Sequence, residues 1–542
     1  MQFLFLRCIA LVLLTRLVFQ PLVSIEPFAT HRTPVSASFA PGEKRSISIR
    51  PSIKNPSCLS LSRDSVHQND LNPKCFLTSI FDFFKPKAYV RVGQSLCTDE
   101  EAFVNERLTY ANTALSSLLG MQIPLAQTPR IAICGSGGGF RSMISLLGAL
   151  TAFDTIGLTD TFLYSAGVSG STWSLGAWYM YGPKPSDAVA AVRNQATYQL
   201  WDGFDPAPVI DRSLEGLIYQ QKIGVVGMYG ALLGNRLFNQ FPNRYSVVLS
   251  DFASKISEGL MPMPIFTAVI PPDPSTTLPY LWCEMTPFEV GIIEDSAFIP
   301  TTAFGRQFAS GVSQNKATEY SFDYGLGICG SAFAAPLTEV LQNLISVVPQ
   351  EVYQVIDDIV IQTNSGNTLL CPAQINNFTY QLSNATYASQ QMLNWVDAGF
   401  DINLPIPAVL RPGRLVDVVI IVDASGDTLN APELSRSQQY ALQHGIKFPP
   451  IDYSNITNNL ISVFQDPNDM TVPIVVYIPV IKNPSYSDTF DPIVCTQTAF
   501  CETENFQYTN AQFDELFGLT NFTVNQEAGT ILQALKDAVL RK

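Results

Sequence analysis

Residues 129–150 read PRIAICGSGGGFRSMISLLGAL, and residues 161–180 read TFLYSAGVSGSTWSLGAWYM. Both stretches have the same order: an apolar strand, a small-residue turn, then a helix. The first turn is Gly135-Ser136-Gly137-Gly138-Gly139 and the second is Gly167-Val168-Ser169-Gly170-Ser171. Strands alternating with helices argue for an α/β layered fold with a largely parallel sheet. In such a fold one turn offers bare backbone N–H groups at a helix start. The other lifts a serine onto a sharp strand-to-helix bend.

Working outward, residues 91–125 read as one amphipathic helix, with Leu108, Ala111, Leu115 and Leu118 at helical spacing. Beyond the second turn, residues 182–260 interrupt the alternation. A helical run is followed by DGFDPAPVIDR, read as loop, and by the nearly uncharged, Gly-rich IGVVGMYGALLGNRLF. This block is expected to be an insertion that caps the site. Alternation resumes with PMPIFTAVIP, and a further small-residue turn runs from Gly327 to Ala332. A second chemical region, residues 391–423, places Asp397-Ala398-Gly399 in a loop before the apolar, β-branched strand VDVVIIVDAS. The chain ends on an amphipathic helix carrying Ile531, Leu532, Leu535, Ala538 and Val539 on one side.

Residues 1–24 have Arg7 ahead of a short apolar centre and are read as a signal peptide. Residues 25–90 are read as a linker or N-terminal extension, and 91–542 as the catalytic domain. Four sequons, at Asn377, Asn384, Asn455 and Asn521, suit a secreted glycoprotein. The expected location is therefore secreted or in an endomembrane lumen, with a cytoplasmic, membrane-associated protein as the alternative. In an oxidising compartment Cys58, Cys75 and Cys97, or Cys495 and Cys501, could pair.

Of the 542 residues, 46% are hydrophobic and only 14% charged, against roughly 25% charged in an average soluble domain. Phe occurs 34 times. This suits a large enzyme core or a protein that handles lipid. A net charge of −14 gives no overall attraction to nucleic acid. The ten cysteines form no CxxC pair and there are only three histidines, so neither a metal site nor another cofactor is expected.

Ser169, between two small-residue neighbours on the bend, is the candidate nucleophile. The G-x-S-x-G elbow pattern fails by one residue, at Ser171. Gly137, Gly138 and Gly139 can approach an oxyanion or a phosphate closely. A dinucleotide fingerprint fails at Phe140, and a P-loop fails at Arg141-Ser142. Arg141, a planar fork at the helix start, suits a phosphodiester, and a structural ion pair is its other reading. The serine needs a base. His31 and His67 lie in the leader region. His444 satisfies the order Ser–Asp–His but sits at a helix end, where histidine complements the helix dipole. That leaves a carboxylate: Asp397, with Asp401 and Asp423 nearly as good on spacing.

The ordered motifs Gly135-SGGGFR-Ser142, Gly167-VSGST-Trp173 and Asp397-AGFDINLPIP…RPGRLVDVVIIVDAS resemble the catalytic domain of cytosolic (group IV) phospholipase A2. The fungal phospholipase B/lysophospholipases share them. The resemblance extends from about residue 91 to the end. It implies a three-layer α/β sandwich with a mainly parallel central sheet, of the patatin-like acyl hydrolase type, with an inserted cap. It also implies a Ser169–Asp397 dyad without histidine, oxyanion donors at Gly138 and Gly139, and Arg141 at the substrate phosphate. No metal takes part in the implied catalytic step. The implied reaction is hydrolysis of fatty acyl esters of glycerophospholipids or lysophospholipids at a membrane or micelle surface, through an acyl-enzyme. Two alternatives stand beside it: an inactive lipid-binding module of the same fold, and a patatin-like neutral-lipid acylhydrolase. The latter's elbow is broken by Ser171.

Overall fold

In the computed structural model the structure describes residues 86–542, apart from 334–371 and the single positions 206, 258, 274, 455, 457, 458 and 499. The leader and most of the N-terminal extension, with Cys58 and Cys75, lie outside the described residues. So does Asn455.

The chain builds an α/β architecture of three layers, a large sheet flanked by helices. Among the described residues the strands are, in chain order, β1 (Arg91–Val92), β2 (Ile131–Gly135), β3 (Phe162–Gly167), β4 (Met263–Ile270), β5 (Leu281–Met285), β6 (Glu289–Ile292), β7 (Ala297–Pro300), β8 (Phe308–Ala309), β9 (Val312–Ser313), β10 (Ala373–Asn376), β11 (Met392–Asp397), β12 (Val418–Asp423), β13 (Ser462–Phe464) and β14 (Ile474–Pro479). The main sheet runs β1-β7-β6-β5-β4-β3-β2-β12-β14-β13. Its middle, from β4 through β3, β2 and β12 to β14, is parallel, and both edges are antiparallel. The parallel strands read as unbroken apolar runs because helices cover both faces. Every residue of β12, VVIIVD, is buried.

The helices that position the site are α1 (Thr98–Leu119), α2 (Gly139–Thr155), α3 (Gly170–Tyr181), α4 (Pro185–Gln195), α5 (Ala207–Ile218), α6 (Gly224–Leu237), α7 (Phe252–Ile256), α8 (Phe322–Cys329), α9 (Ile406–Val409), α10 (Pro432–Gln443), α11 (Pro492–Thr498), α12 (Asn510–Gln526) and α13 (Ala528–Arg541). In α1 the buried stripe is Phe103, Arg107, Ala111 and Leu115, while Leu108 and Leu118 are half-buried. Arg107 is accommodated because its guanidinium donates to three carbonyls, of Phe162, Gly259 and Thr159, at 2.6–2.9 Å. The segment expected to be loop before Arg212 contains the start of α5.

Glycine in α6 is packing, not freedom. A Cβ on Gly230 would lie 2.2 Å from the Asp323 carbonyl oxygen, and one on Gly327 would lie 2.6 Å from the Val226 carbonyl oxygen. The helices α6 and α8 thus touch backbone to backbone, which only hydrogen side chains permit. The sequons also change meaning in three dimensions. Asn377 is buried, and its amide donates to the Tyr387 and Gln390 carbonyls while accepting from Thr379. Asn521 lies within α12 and donates to the Gly148 carbonyl of α2. Neither is a free surface amide, whereas Asn384 is exposed.

Four buried charges lock the segment after β11 to the sheet. Arg414 makes a two-pronged pair with Glu284 of β5 (2.6 and 3.0 Å) and reaches Glu100 of α1 at 3.0 Å. Arg411 adds longer contacts to the same two carboxylates, at 3.4 and 3.6 Å. Burial pushes the Glu284 carboxyl up, but Arg411 and Arg414 outweigh it and hold it below its ordinary value. Two cations and two anions cancel, so no buried charge is left over. Removing one partner destroys that balance. Arg414→Ala is expected to lower unfolding stability by about 3–5 kcal/mol, read from the urea midpoint at constant slope.

Candidate active site

The two small-residue turns start side by side. Gly135 at the end of β2 is in register with Gly167 at the end of β3. Both turns therefore leave the same edge of the parallel sheet, the carboxyl ends of its strands, where ligands bind in open α/β sheets.

Ser169 caps α3 with φ 49° and ψ −121°, a backbone region that a residue with a side chain enters only under constraint. Its neighbours supply the constraint. A Cβ on Gly170 would lie 2.0 Å from the Gly139 carbonyl oxygen, so the turns are in backbone contact and the position after the serine must be glycine. Ser171, the residue that breaks the elbow pattern, donates from Oγ to the Ser136 carbonyl at 2.5 Å. It is tolerated because Gly135 opposite has no Cβ: one there would lie 2.4 Å from Ser171 Oγ. The side chain at this position ties the Ser169 turn to the glycine turn.

Gly138 precedes α2 and Gly139 opens it, with φ values of 136° and 61°. As N–H groups at a helix start they have no intrahelical acceptor, and they carry the positive end of the helix dipole. A Cβ on Gly137 would come 3.0 Å from Ser169 Cβ, so this turn lies against Ser169.

The serine and its carboxylate meet through a feature of the sheet. Strand β4 pairs with β3 as far as Phe266, opposite Gly167. Its other flank is taken by β5 from Phe266 to Ile270. Where β3 turns away into the elbow, β11 takes its place on β4, with Val396 opposite Val269 and Asp397 opposite Ala268. The chain thus returns more than two hundred residues later to the gap left by the serine turn.

Asp397 is buried at the end of β11. Its backbone N–H donates to Ser331 Oγ at 2.9 Å, and its Oδ1 accepts from the Gly399 N–H at 2.9 Å. Burial pushes its carboxyl up to about 7, with the Gly399 N–H, the Ser169 hydroxyl and the Ala332 N–H pulling the other way. The Ser169 hydroxyl is thus close enough to stabilise the carboxylate, yet Oγ has no partner in full hydrogen-bond geometry. Such bonds are often long before substrate arrives.

The other carboxylates are engaged elsewhere. Asp401 Oδ2 accepts from Trp282 Nε1 at 2.8 Å. Asp423 accepts from the Tyr477 hydroxyl at 2.8 Å and from the Ser425 N–H at 2.9 Å. His444 follows α10, stacked 4.0 Å from the Tyr440 ring, with Nδ1 2.9 Å from the Tyr440 carbonyl oxygen.

Arg141 is buried without an ion pair among the described residues. Its Nε donates to the Ala424 carbonyl (2.8 Å), and its Nη1 to the Cys501 carbonyl (2.8 Å) and Thr503 Oγ1 (2.9 Å). Nη2 lies over the glycine turn: a Cβ on Gly138 would be 2.6 Å from it. The structural ion pair considered for this residue is therefore replaced by three neutral acceptors. Burial lowers the guanidinium's pKa, and Tyr508 and the Asp423 carboxylate only partly offset it.

Two supports were not singled out in the sequence. Asn403 accepts from the Gly137 N–H through both Oδ1 (3.1 Å) and its own carbonyl (3.2 Å), and donates to Ser425 Oγ at 2.7 Å. It couples the Asp397 loop to the glycine turn. Ser331, in the small-residue turn after α8, seats Asp397. An aromatic group of Phe140, Trp173, Tyr229 and Phe506 packs next to the two turns, with ring centroids 5.5–6.4 Å apart. Tyr229 of α6 feels the Asp397 charge, which places part of the 182–260 block next to the site.

Residues 131–200 and 219–460 match the family described as the lysophospholipase catalytic domain. The chain belongs to that family. It is 27% identical to mouse cytosolic phospholipase A2 zeta, over 84% of this chain and 63% of that protein. It is 28% identical to the human zeta protein, over 80% and 58%. It thus spans about three fifths of the length of these relatives. Among solved structures it is similar to human GIVD cytosolic phospholipase A2 (TM-score 0.69, 22% identity, covering 84% of this chain and 68% of that one). It is also similar to the same enzyme in complex with methyl gamma-linolenyl fluorophosphonate (TM-score 0.66, 24% identity, covering 84% and 66%). These structural likenesses show a shared fold, the three-layer α/β architecture described above.

The raised carboxyl carries a stability consequence. Between an unfolded value of about 4 and a folded value of about 7, the native state binds more protons than the unfolded state, so stability falls as pH rises. Asp397→Asn removes that slope. Its melting temperature relative to the parent protein is expected to be higher at pH 8 than at pH 5, as calorimetry at both pH values would read.

Proposed function

We propose that this chain is a serine acyl hydrolase of glycerophospholipids or lysophospholipids, with Ser169 as nucleophile and Asp397 as base. The observation that carries the reading is the replacement of β3 by β11 on the flank of β4, which brings a buried carboxyl of near-neutral pKa to a strained serine. Membership of the lysophospholipase family supports it, as do relatives named phospholipase A2 and a structural neighbour solved with a fluorophosphonate lipid.

Asp397 takes the Ser169 proton as Oγ attacks the acyl carbonyl. The oxyanion that forms is met by the N–H groups of Gly138 and Gly139, aimed outward from a helix start. Arg141 lies over the same turn and faces the phosphate of a bound phospholipid. The ester C–O bond breaks, the lysolipid or glycerophospho alcohol leaves with the proton held by Asp397, and the acyl group stays on Ser169. Water then attacks the acyl-enzyme, with Asp397 again as base, and frees the fatty acid. Helices of the 182–260 block, with Tyr229 beside Asp397, form the cap over the acyl end. Among the described residues no helix is long and apolar enough to cross a membrane. The lipid substrate is met at a membrane or micelle surface. The relatives are named cytosolic, which supports the cytoplasmic, membrane-associated alternative over the secreted one.

Hydrolysis of phosphatidylcholine micelles by the purified chain tests the assignment. Ser169→Ala and Asp397→Asn are each expected to lower kcat by about 10⁴-fold or more while the protein stays folded. In the parent protein kcat/KM should fall about tenfold per pH unit below a limb near pH 7, because only the ionised base accepts the proton. Full activity in either variant would remove the dyad. A limb near pH 4 would remove the buried-base account.

A further inference from the structure

Arg141 is held by a loop that a disulfide closes. Its Nη1 donates to the carbonyl of Cys501 at 2.8 Å and to Thr503 Oγ1 at 2.9 Å. Cys501 is bonded to Cys495 of α11, six residues earlier, and its N–H donates to the Cys495 sulfur at 3.2 Å. Both half-cystines are buried. Two of the three acceptors that fix the guanidinium thus lie on one short segment anchored by an S–S bond. The third, the Ala424 carbonyl, holds Nε alone. A planar fork held at one nitrogen can turn, and with it the Nη2 edge over Gly138.

We propose that the Cys495–Cys501 disulfide is a positioning element for Arg141 and, through it, sets the preference for phosphate-bearing over neutral acyl esters. The inference rests on Arg141 facing the substrate phosphate. A dithiol reductant opens the bond. Its thiolate attacks one sulfur, the S–S bond breaks and a mixed disulfide forms. The reductant's second thiol displaces the protein sulfur. Cys495 and Cys501 end as two thiols and the reductant as a disulfide. The open loop keeps other holds: the Phe500 ring stacks on Phe490 at 6.0 Å, and Asn505 Nδ2 donates to the Phe500 carbonyl at 2.7 Å. It loosens without leaving, so the effect is on substrate choice rather than on folding. Because a thiol-rich compartment opens such a bond and an oxidising one keeps it, headgroup preference becomes dependent on redox state.

The test compares lysophosphatidylcholine with a monoacylglycerol of the same acyl chain, using the full chain with its disulfide verified by non-reducing peptide mapping. Three further samples are assayed: the same protein after treatment with a phosphine reductant, the Cys495→Ser/Cys501→Ser variant, and Arg141→Lys. Both openings should raise KM for the phospholipid about tenfold, with kcat within twofold and the monoacylglycerol constants unchanged. The double serine variant should be insensitive to the reductant. If that variant fails to fold, reduction of the folded protein decides alone. An equal loss on both substrates would overturn the proposal, since it would mark the disulfide as a stabiliser only. Mapping that finds both thiols free after oxidation would overturn it too. If Arg141→Lys lowers the preference and the openings do not, the disulfide proposal falls while Arg141 keeps its place. If Arg141→Lys leaves the preference intact, the reading of Arg141 falls and takes the proposal with it.

Discussion

The backbone contact between the two turns is the constraint on which the site depends. Gly170 lies against the Gly139 carbonyl so closely that no Cβ fits, and Ser171 Oγ bonds the Ser136 carbonyl. These contacts hold Ser169 at a positive φ, and they bring the turn that opens α2 against the Ser169 turn. A strained backbone of this kind costs of order 1–3 kcal/mol and persists only where its surroundings over-determine it. Here the surroundings are two parallel strands in register, two helix starts and Asn403 bonded to Gly137.

The placement of Asp397, the proposed base, is a consequence of sheet topology rather than of a local motif. A parallel strand that turns into an elbow leaves half of its neighbour unpaired, and unpaired buried backbone is costly. β11 satisfies β4 there and delivers Asp397 at its end. The buried ionic cluster then fixes the return path. Arg411 and Arg414, on the segment after the base loop, are paired to α1 and β5. Burial sets the chemistry as well: the same exclusion of water that raises the Asp397 carboxyl to about 7 gives it a useful basicity near neutral pH.

The sequence made the parallel centre of the sheet legible, because buried parallel strands are continuous apolar runs and the turns between them are rich in glycine. It made Ser169 and the helix-start glycines legible for the same reason. Without the family resemblance it ranked Asp397 only slightly above Asp401 and Asp423. What separates them is the hydrogen bonds from Trp282, Tyr477 and Ser425, which join residues far apart in the chain. Asn403 and Ser331 were invisible because a polar residue beside a turn ordinarily serves the turn itself. The stripe of α1 was displaced because Arg107 is polar in sequence yet finds three carbonyls in the core. The Gly-rich block of α6 showed no sign in the sequence of why it is glycine-rich; its glycines serve a close helix crossing with α8. The Asn377 sequon looked like a surface site until its amide was found fully bonded inside the fold.

The central claim is that the constrained turn makes Ser169 a nucleophile through Asp397. Labelling of the intact chain with a lipid fluorophosphonate, followed by peptide mapping and rate measurement across pH, tests it most directly. The account predicts one adduct, on Ser169, whose formation slows as pH falls below about 7 and is nearly abolished in Asp397→Asn. An adduct on another residue, or a Ser169 adduct whose rate ignores Asp397, would contradict it.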